Sequence, residues 1–416
     1  MTVKTSIGIV LLAVLCLGIL CSCGFLDDDR TRMSISPRSL RTKYAGGGAS
    51  SAEAADTSVF VLGIEYPDGY DWRSDPDYGK VGSLVVYRDQ KRLLTVRAGA
   101  QYRISPDSDR NRIIGGHLYS DYSEGGTTTV KKDGEVLFSY DGDEVVVDVV
   151  VSGESVYTLG RSRYGEGFSF RKDGEAAFSL ESGILLGNAY SDPLYEDGGE
   201  LCFSYYTESK GGRKYYLYAG QGPAQIELSD QSLNVLAMRR IAGEVYYACT
   251  TRYSYGNPVI FCGDRSVACK HQPLRTTRNC RFLVSGERVC LEGDAVEYDG
   301  TLSRCLWESD GTLAAKGTGI VGFCISQEGT AYVEAGQEGW VDGFCVDGKH
   351  YSPEDSVKIY SPDCAAYRDG RFYAAFSPAG KERSPFLWRN GRNLAYLLNG
   401  YISGIYFPDN GDDGVP

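Results

Sequence analysis

The sequence predicts an all-β fold made of one supersecondary unit repeated about eight times. Three observations carry this: a fixed spacing of hydrophobic pairs, a recurrent tight-turn dipeptide, and a strand missing from the first unit matched by an orphan strand after the last. Tyr157, Cys202, Tyr246, Cys290, Tyr332 and Tyr373 each close a hydrophobic pair, and subtraction gives steps of 45, 44, 44, 42 and 41 residues. A period in that range marks an array of identical units.

Each unit reads as four short strands. In the clearest copy the apolar runs Asn234–Ile241, Val245–Thr250, Pro258–Cys262 and Ser266–Lys270 are divided by Ala242-Gly243-Glu244 and Gly263-Asp264-Arg265. Short runs rich in β-branched and aromatic residues, punctuated by Gly and Asp, are strands. No stretch has the 3.6-residue periodicity that a helical array needs.

The turn between strands three and four reads Lys132-Asp133-Gly134, Lys172-Asp173-Gly174, Ser309-Asp310-Gly311, Val346-Asp347-Gly348 and Arg389-Asn390-Gly391. Asp-Gly and Asn-Gly tolerate the positive φ angles of a two-residue type I′ turn. Arg88-Asp89-Gln90 and Ala219-Gly220-Gln221 are degenerate versions.

Strand two is read eight times: Ser58–Ile64, Arg112–Ser120, Ser155–Gly160, Glu200–Tyr205, Glu244–Thr250, Arg288–Glu292, Thr330–Ala335 and Arg371–Ser377. The first copy lacks a strand one, and an orphan strand, Tyr401–Phe407, follows the last. The economical solution is circular: a single β-propeller of four-stranded antiparallel blades over residues 58–407, closed by the C-terminal strand joining the N-terminal blade. Eight blades are expected. Seven is the alternative, because Arg110-Asn111-Arg112 in the second unit also reads as loop.

Arg371-Phe372-Tyr373-Ala374-Ala375 followed by Phe386-Leu387-Trp388-Arg389-Asn390-Gly391, and Ala331-Tyr332-Val333-Glu334-Ala335-Gly336, resemble the repeats of a group of propeller lipoproteins common in Bacteroidota. The resemblance spans essentially the whole array. It implies a fold and carries over no functional residue, because the group is largely uncharacterised.

The N-terminus reads as a targeting segment. Lys4 precedes an apolar run, Ile7–Leu20, that is short for a membrane span. It ends in Leu20-Cys21-Ser22-Cys23, with Leu at −3 and small Ser at −1, so residues 1–22 are expected to be a lipoprotein signal peptide and Cys23 the lipidated residue. An ordinary cleaved signal peptide is the alternative. Asp27-Asp28-Asp29 resembles the export signal of surface-exposed outer-membrane lipoproteins in Bacteroidota, the periplasmic face being the other address. Residues 23–57 then form a flexible tether, with Gly46-Gly47-Gly48-Ala49-Ser50-Ser51 near its end, and 408–416 a disordered tail.

The chain carries 55 acidic against 43 basic residues, a net charge of −12. That balance argues against nucleic acid, whose affinity rests on phosphate neutralisation. The body is expected to be monomeric and to need no cofactor. Ten cysteines follow Cys23 and track the repeat, which favours small buried hydrophobes between sheets. In an oxidising envelope the disulfide pairs worth testing are Cys262 with Cys280 and Cys305 with Cys324. Zinc has no spacing support: His117, His271 and His350 are the only histidines, and the mature chain has no Cys-x-x-Cys.

Hairpins alternate ends of a blade, so the tight turns share one face while the two-to-three loops and the blade connections share the other. The second face concentrates loop length and aromatics, the residue types that stack on sugars or grip peptides. Its candidate ligand contacts are Tyr70, Trp72, Tyr78, Tyr122, Tyr164, Tyr253, Tyr255 and Trp340, with Tyr119, Tyr205, Tyr206 and Tyr298 in similar segments. Asp68, Asp71, Asp75 and Asp77 are weak calcium candidates without the EF-hand spacing. No catalytic constellation is legible. The expected function is a recognition propeller for a glycan or protein. A carbohydrate-active enzyme and a scaffold in an envelope complex are the alternatives.

Overall fold

The computed structural model describes residues 58–408 apart from 72–80, 98–110, 164–165, 187–192, 229–232, 252–256, 272, 337–338, 354–355, 369, 379–383 and 390. These residues form eight antiparallel sheets, an eight-bladed β-propeller. Blade 1 runs Gly400–Tyr406, Phe60–Glu65, Ser83–Arg88, Lys91–Arg97 from strand one to strand four. The chain's last strand therefore lies antiparallel to its first, with Phe60 opposite Tyr406 and Glu65 opposite Gly400. At Gly400 an added Cβ would fall on the carbonyl oxygen of Ile64, so only glycine lets the two ends approach.

Blades 2 to 8 follow in order, and strand four is the exposed outer edge in each. Blade 2 carries one correction. Arg112–Ser120 is not a single strand: Gly115 and Gly116, at φ 55° and 81°, turn Arg112–Ile114 back on His117–Glu124. The pair supplies two successive left-handed residues, so the irregular unit is a full blade and the seven-bladed alternative falls. In blades 4 and 8 strand one is split into two pieces, Gly183–Leu185 with Tyr195–Asp197 and Val357–Lys358 with Ala365–Arg368.

The core is distributed between blades. Phe60, Leu62, Ile64 and Leu84 of blade 1 meet Ile113 and Leu118 of blade 2. Phe168 and Phe170 of blade 3 meet Phe203, Tyr205 and Tyr218 of blade 4, and the Phe203 and Tyr218 rings stack at 4.6 Å. Leu236, Ala248 and Ile260 of blade 5 meet Phe282, Leu291 and Trp307 of blade 6. The largest cluster joins Val333 and Phe344 of blade 7, Phe372, Phe376 and Trp388 of blade 8, and Val61, Val85 and Tyr87 of blade 1. Period-two alternation in strands two and three sends residues into both neighbouring layers, so each sheet is buried on two faces.

The tight turns do more than reverse the chain. Asp89, Asp133, Asp173 and Asp347 adopt φ of 54°, 53°, 51° and 52°. The N–H of each donates to the carbonyl of the residue at the start of strand two, at 2.7 Å to Val59 and 2.8 Å to Leu118, Val156 and Thr330. Each carboxylate accepts the N–H of that same residue, at 3.1, 2.9, 2.8 and 2.9 Å. A two-bond ring thus clamps the three-to-four hairpin onto strand two. Ser309-Asp310-Gly311 departs from the expected type I′ turn: Gly311 alone has positive φ, 78°, and the Asp310 carboxylate accepts from Thr312 N–H at 2.8 Å within its own turn. Blade 6 keeps only the backbone half of the clamp, Ser309 N–H to Val289 O at 3.0 Å.

Asp173→Ala removes the acceptor and places a residue with a Cβ but no local hydrogen bond in the left-handed region. It should cost about 1–2 kcal/mol. Asp173→Asn keeps both features and should cost less than half as much, read by denaturant unfolding of the two variants. Equal losses would show that the carboxamide does not replace the clamp.

Candidate functional site: the long-loop face

At the end opposite the tight turns, the two-to-three loops of blades 1, 3 and 7 are tied to the connection that enters the same blade. In blade 1 Tyr66 N–H donates to Asn399 O at 2.8 Å, and Asn399 Nδ2 donates to Pro67 O at 2.8 Å. In blade 3 Arg163 Nε lies 3.0 Å from Asp143 Oδ1. In blade 7 Ala335 N–H donates to Gly319 O at 2.8 Å, and the same loop also reaches blade 8, where Ile359 N–H donates to Gly339 O at 2.9 Å and Lys358 forms an isolated bridge with Trp340. These ties hold variable loops on a rigid frame, the usual setting of a binding surface. The face is not uniformly long, since blade 2 turns on Gly125-Gly126 and blade 4 on Lys210-Gly211.

The predicted aromatics divide. Trp340 is half-buried on this face with Lys358 Nζ 4.4 Å from its ring centre. Tyr70 is half-buried and stacks on Tyr66 at 5.6 Å. Tyr298 is 74% exposed in the blade 6 loop. Tyr122 is a strand residue rather than a loop residue, opposite Thr129 in blade 2, with Lys131 Nζ 5.0 Å from its ring. Tyr119, Tyr205 and Tyr206 are also buried strand residues: the first two lie within the expected strands, and Tyr206 follows because strand two of blade 4 continues to Ser209. Trp72, Tyr78, Tyr164, Tyr253 and Tyr255 lie outside the described residues. So do Asp75, Asp77 and Cys23. Of the other calcium candidates, Asp68 is exposed and Asp71 half-buried in the first loop.

Toward the inner strands several buried carboxylates are paired. Asp148, fully buried on strand one of blade 3, accepts from Leu194 N–H of blade 4 at 3.0 Å and lies 3.1 Å from Arg112 of blade 2. One carboxylate thus joins three blades. In blade 6 Arg281 Nε meets Glu292 at 2.8 Å, while Arg304 meets Asp294 at 2.8 Å and Glu292 at 3.6 Å. These acids are neutralised by guanidinium groups, the usual state of buried carboxylates outside a catalytic pair.

None of the ten body cysteines is in a disulfide, and nine of them are buried. Neither tested disulfide forms. Cys280 and Cys305 face the layer between blades 5 and 6, Cys324 packs toward blades 7 and 8, and Cys262 Sγ donates to Glu244 at 3.0 Å. Burial pushes the thiols of Cys249, Cys269 and Cys364 up to about 12.

The packing also assembles a cluster that residue spacing does not reveal. His271, on the connection entering blade 6, meets Glu297, just past strand two, with Nε2 to Oε1 at 3.0 Å. Cys305 of strand three completes it: one donor atom of each residue lies within 4.8 Å of the other two. Burial works to raise the Glu297 carboxyl, but the hydrogen bond and charge of His271, with Lys316, prevail and hold it below its ordinary value.

No family model matches the chain, and no curated protein does. Among solved structures it is similar to an uncharacterized protein, lmo1340, of Listeria monocytogenes EGD-e, at 9% identity and TM-score 0.40 over 70% of this chain and 95% of that one. It is also similar to dihydro-heme d1 dehydrogenase NirN, at 11% identity and TM-score 0.48 over 84% and 74% of the two chains. A eukaryotic initiation factor structure gives 11% and 0.43 over 78% and 88%. Likenesses this distant carry no functional argument, and the fold rests on the strand pairing itself.

Thiol reactivity follows the thiolate fraction and access. In residues 56–416 at pH 7.5, a thiol-specific chromogenic disulfide should react with at most one cysteine while the protein is folded and with all ten in guanidinium. Rapid reaction of several thiols in the native state would contradict the inter-blade packing.

Proposed function

We propose that the protein is a membrane-anchored recognition propeller of the bacterial envelope, displayed on the outer surface and binding a glycan or protein ligand through its long-loop face. The observation that carries the binding reading is the division of the molecule into two unlike ends. One is closed by clamped two-residue turns. The other presents Tyr298 and Trp340 on loops braced by neighbouring connections. Flat amphipathic rings held on a fixed frame lose little entropy on binding, which suits them to stacking on sugar rings or anchoring a peptide.

The anchor rests on Leu20-Cys21-Ser22-Cys23 after the apolar run, and the surface address on Asp27-Asp28-Asp29. Several acyl chains, at about 0.8 kcal/mol per buried methylene, hold a protein on a bilayer stably. The resemblance to Bacteroidota propeller lipoproteins supports the same reading.

Two measurements test it. On glycan and peptide arrays residues 56–416 should bind one ligand class saturably, and Trp340→Ala, Tyr298→Ala or Trp72→Ala should weaken that binding at least about tenfold, the scale of an aromatic hot spot. Binding unchanged in the triple variant would remove the face from the function. In cells fed a labelled fatty acid, label should enter the wild-type protein and the Cys21→Ala variant but not Cys23→Ala; label retained by Cys23→Ala would refute the anchor.

A further inference from the structure

We propose that His271, Glu297 and Cys305 form a binding site for one divalent transition-metal ion of the zinc class, at the long-loop end of the junction between blades 5 and 6. Imidazole nitrogen, carboxylate oxygen and thiolate sulfur are the three donor types that zinc takes. Here they converge from three separate chain segments, with one donor atom of each within 4.8 Å of the others. Ligands at about 2.0–2.3 Å around one tetrahedral ion sit roughly 3.3–3.8 Å apart, so the His271–Glu297 pair, at 3.0 Å, opens slightly and the cluster draws in by up to about 1 Å to seat the metal.

The segments are held in place. Cys305 is fully buried in strand three, beneath His271 and Glu297, whose side chains are 18% and 16% exposed. The connection bearing His271 is pinned on its N-terminal side: Lys270 N–H donates to Gly311 O at 2.8 Å, and Lys270 Nζ donates to Thr312 Oγ1 at 2.7 Å. Such a site is preorganised and open on the solvent side. Three protein ligands leave a fourth position for water or a donor atom of a ligand, unlike a closed structural zinc site. Binding replaces the His271–Glu297 hydrogen bond with two metal–ligand bonds, and the Cys305 thiol releases its proton to solvent as the sulfur–metal bond forms. Lys316 Nζ, 3.4 Å from Glu297 Oε1, is the cation that a metal must displace.

Cobalt(II) titration of the full chain tests the assignment, because a thiolate ligand adds a sulfur-to-cobalt charge-transfer band in the near ultraviolet. We expect one cobalt per chain with that band, displaced by equimolar zinc. Cys305→Ala should abolish the band, and His271→Gln, at the partly exposed rim, should weaken binding more than about 100-fold with the fold intact by circular dichroism. Lys316→Met should tighten it by roughly 2- to 5-fold. Cys249→Ser, in a different layer, should change nothing. The proposal is overturned by the absence of the band in wild type, by its survival in Cys305→Ala, or by unchanged affinity in His271→Gln.

Discussion

The pairing of Gly400–Tyr406 with Phe60–Glu65 is the constraint on which the other blades depend. A propeller sheet buries its faces only against its neighbours, so an open ring would leave two sheets with a bare apolar face and an unpaired edge. Here the last strand becomes strand one of the first blade, and the largest apolar cluster forms where blades 7, 8 and 1 meet. Two chain ends more than three hundred residues apart thereby share one sheet. The approach is close enough to demand glycine at position 400.

Given a closed ring, the aspartate clamp explains why one end of the molecule is so uniform. A left-handed aspartate returns both its N–H and its carboxylate to one residue at the start of strand two, so turn, strand start and register are set together. At the other end the repeated bond joins backbone groups only: the residue closing strand two donates to the carbonyl just before strand one, Tyr66 to Asn399 in blade 1, Arg163 to Asp143 in blade 3 and Ala335 to Gly319 in blade 7. Side chains brace these loops individually, by Asn399 in blade 1, by an ion pair in blade 3 and by the Trp340–Lys358 bridge between blades 7 and 8. Freedom to vary lies where the repeated bond asks nothing of the side chain.

What the sequence discloses follows the range of the interaction. Period, strand two, the Asp-Gly turns and the closing strand are local patterns, and they stand in the structure apart from strand two of blade 2 and the Asp310-Gly311 turn of blade 6. Gly115-Gly116 was equally local but lay inside an apolar run, so blade 2 was misdivided. Tyr206 falls beyond the end of strand two expected at Tyr205, yet the strand continues to Ser209 and buries both tyrosines. The convergence of His271, Glu297 and Cys305 is different in kind. Each sits in an unremarkable context, and only the packing of blade 5's exit against blade 6 brings them together. Histidine scarcity argued against a metal ligand set when the chain was read in one dimension. In three dimensions one histidine suffices if a carboxylate and a thiol arrive from other strands.

The same closure makes the molecule circular in all but one covalent bond. Phe60 and Tyr406 face each other at the clamped-turn end, so both ends of the folded body leave from there. A short linker from residue 407 to residue 58 would complete the circle, and new ends opened at any clamped turn would leave every sheet intact. Anything joined directly at residue 58 or residue 407 starts from that side, away from the braced loops at the far end.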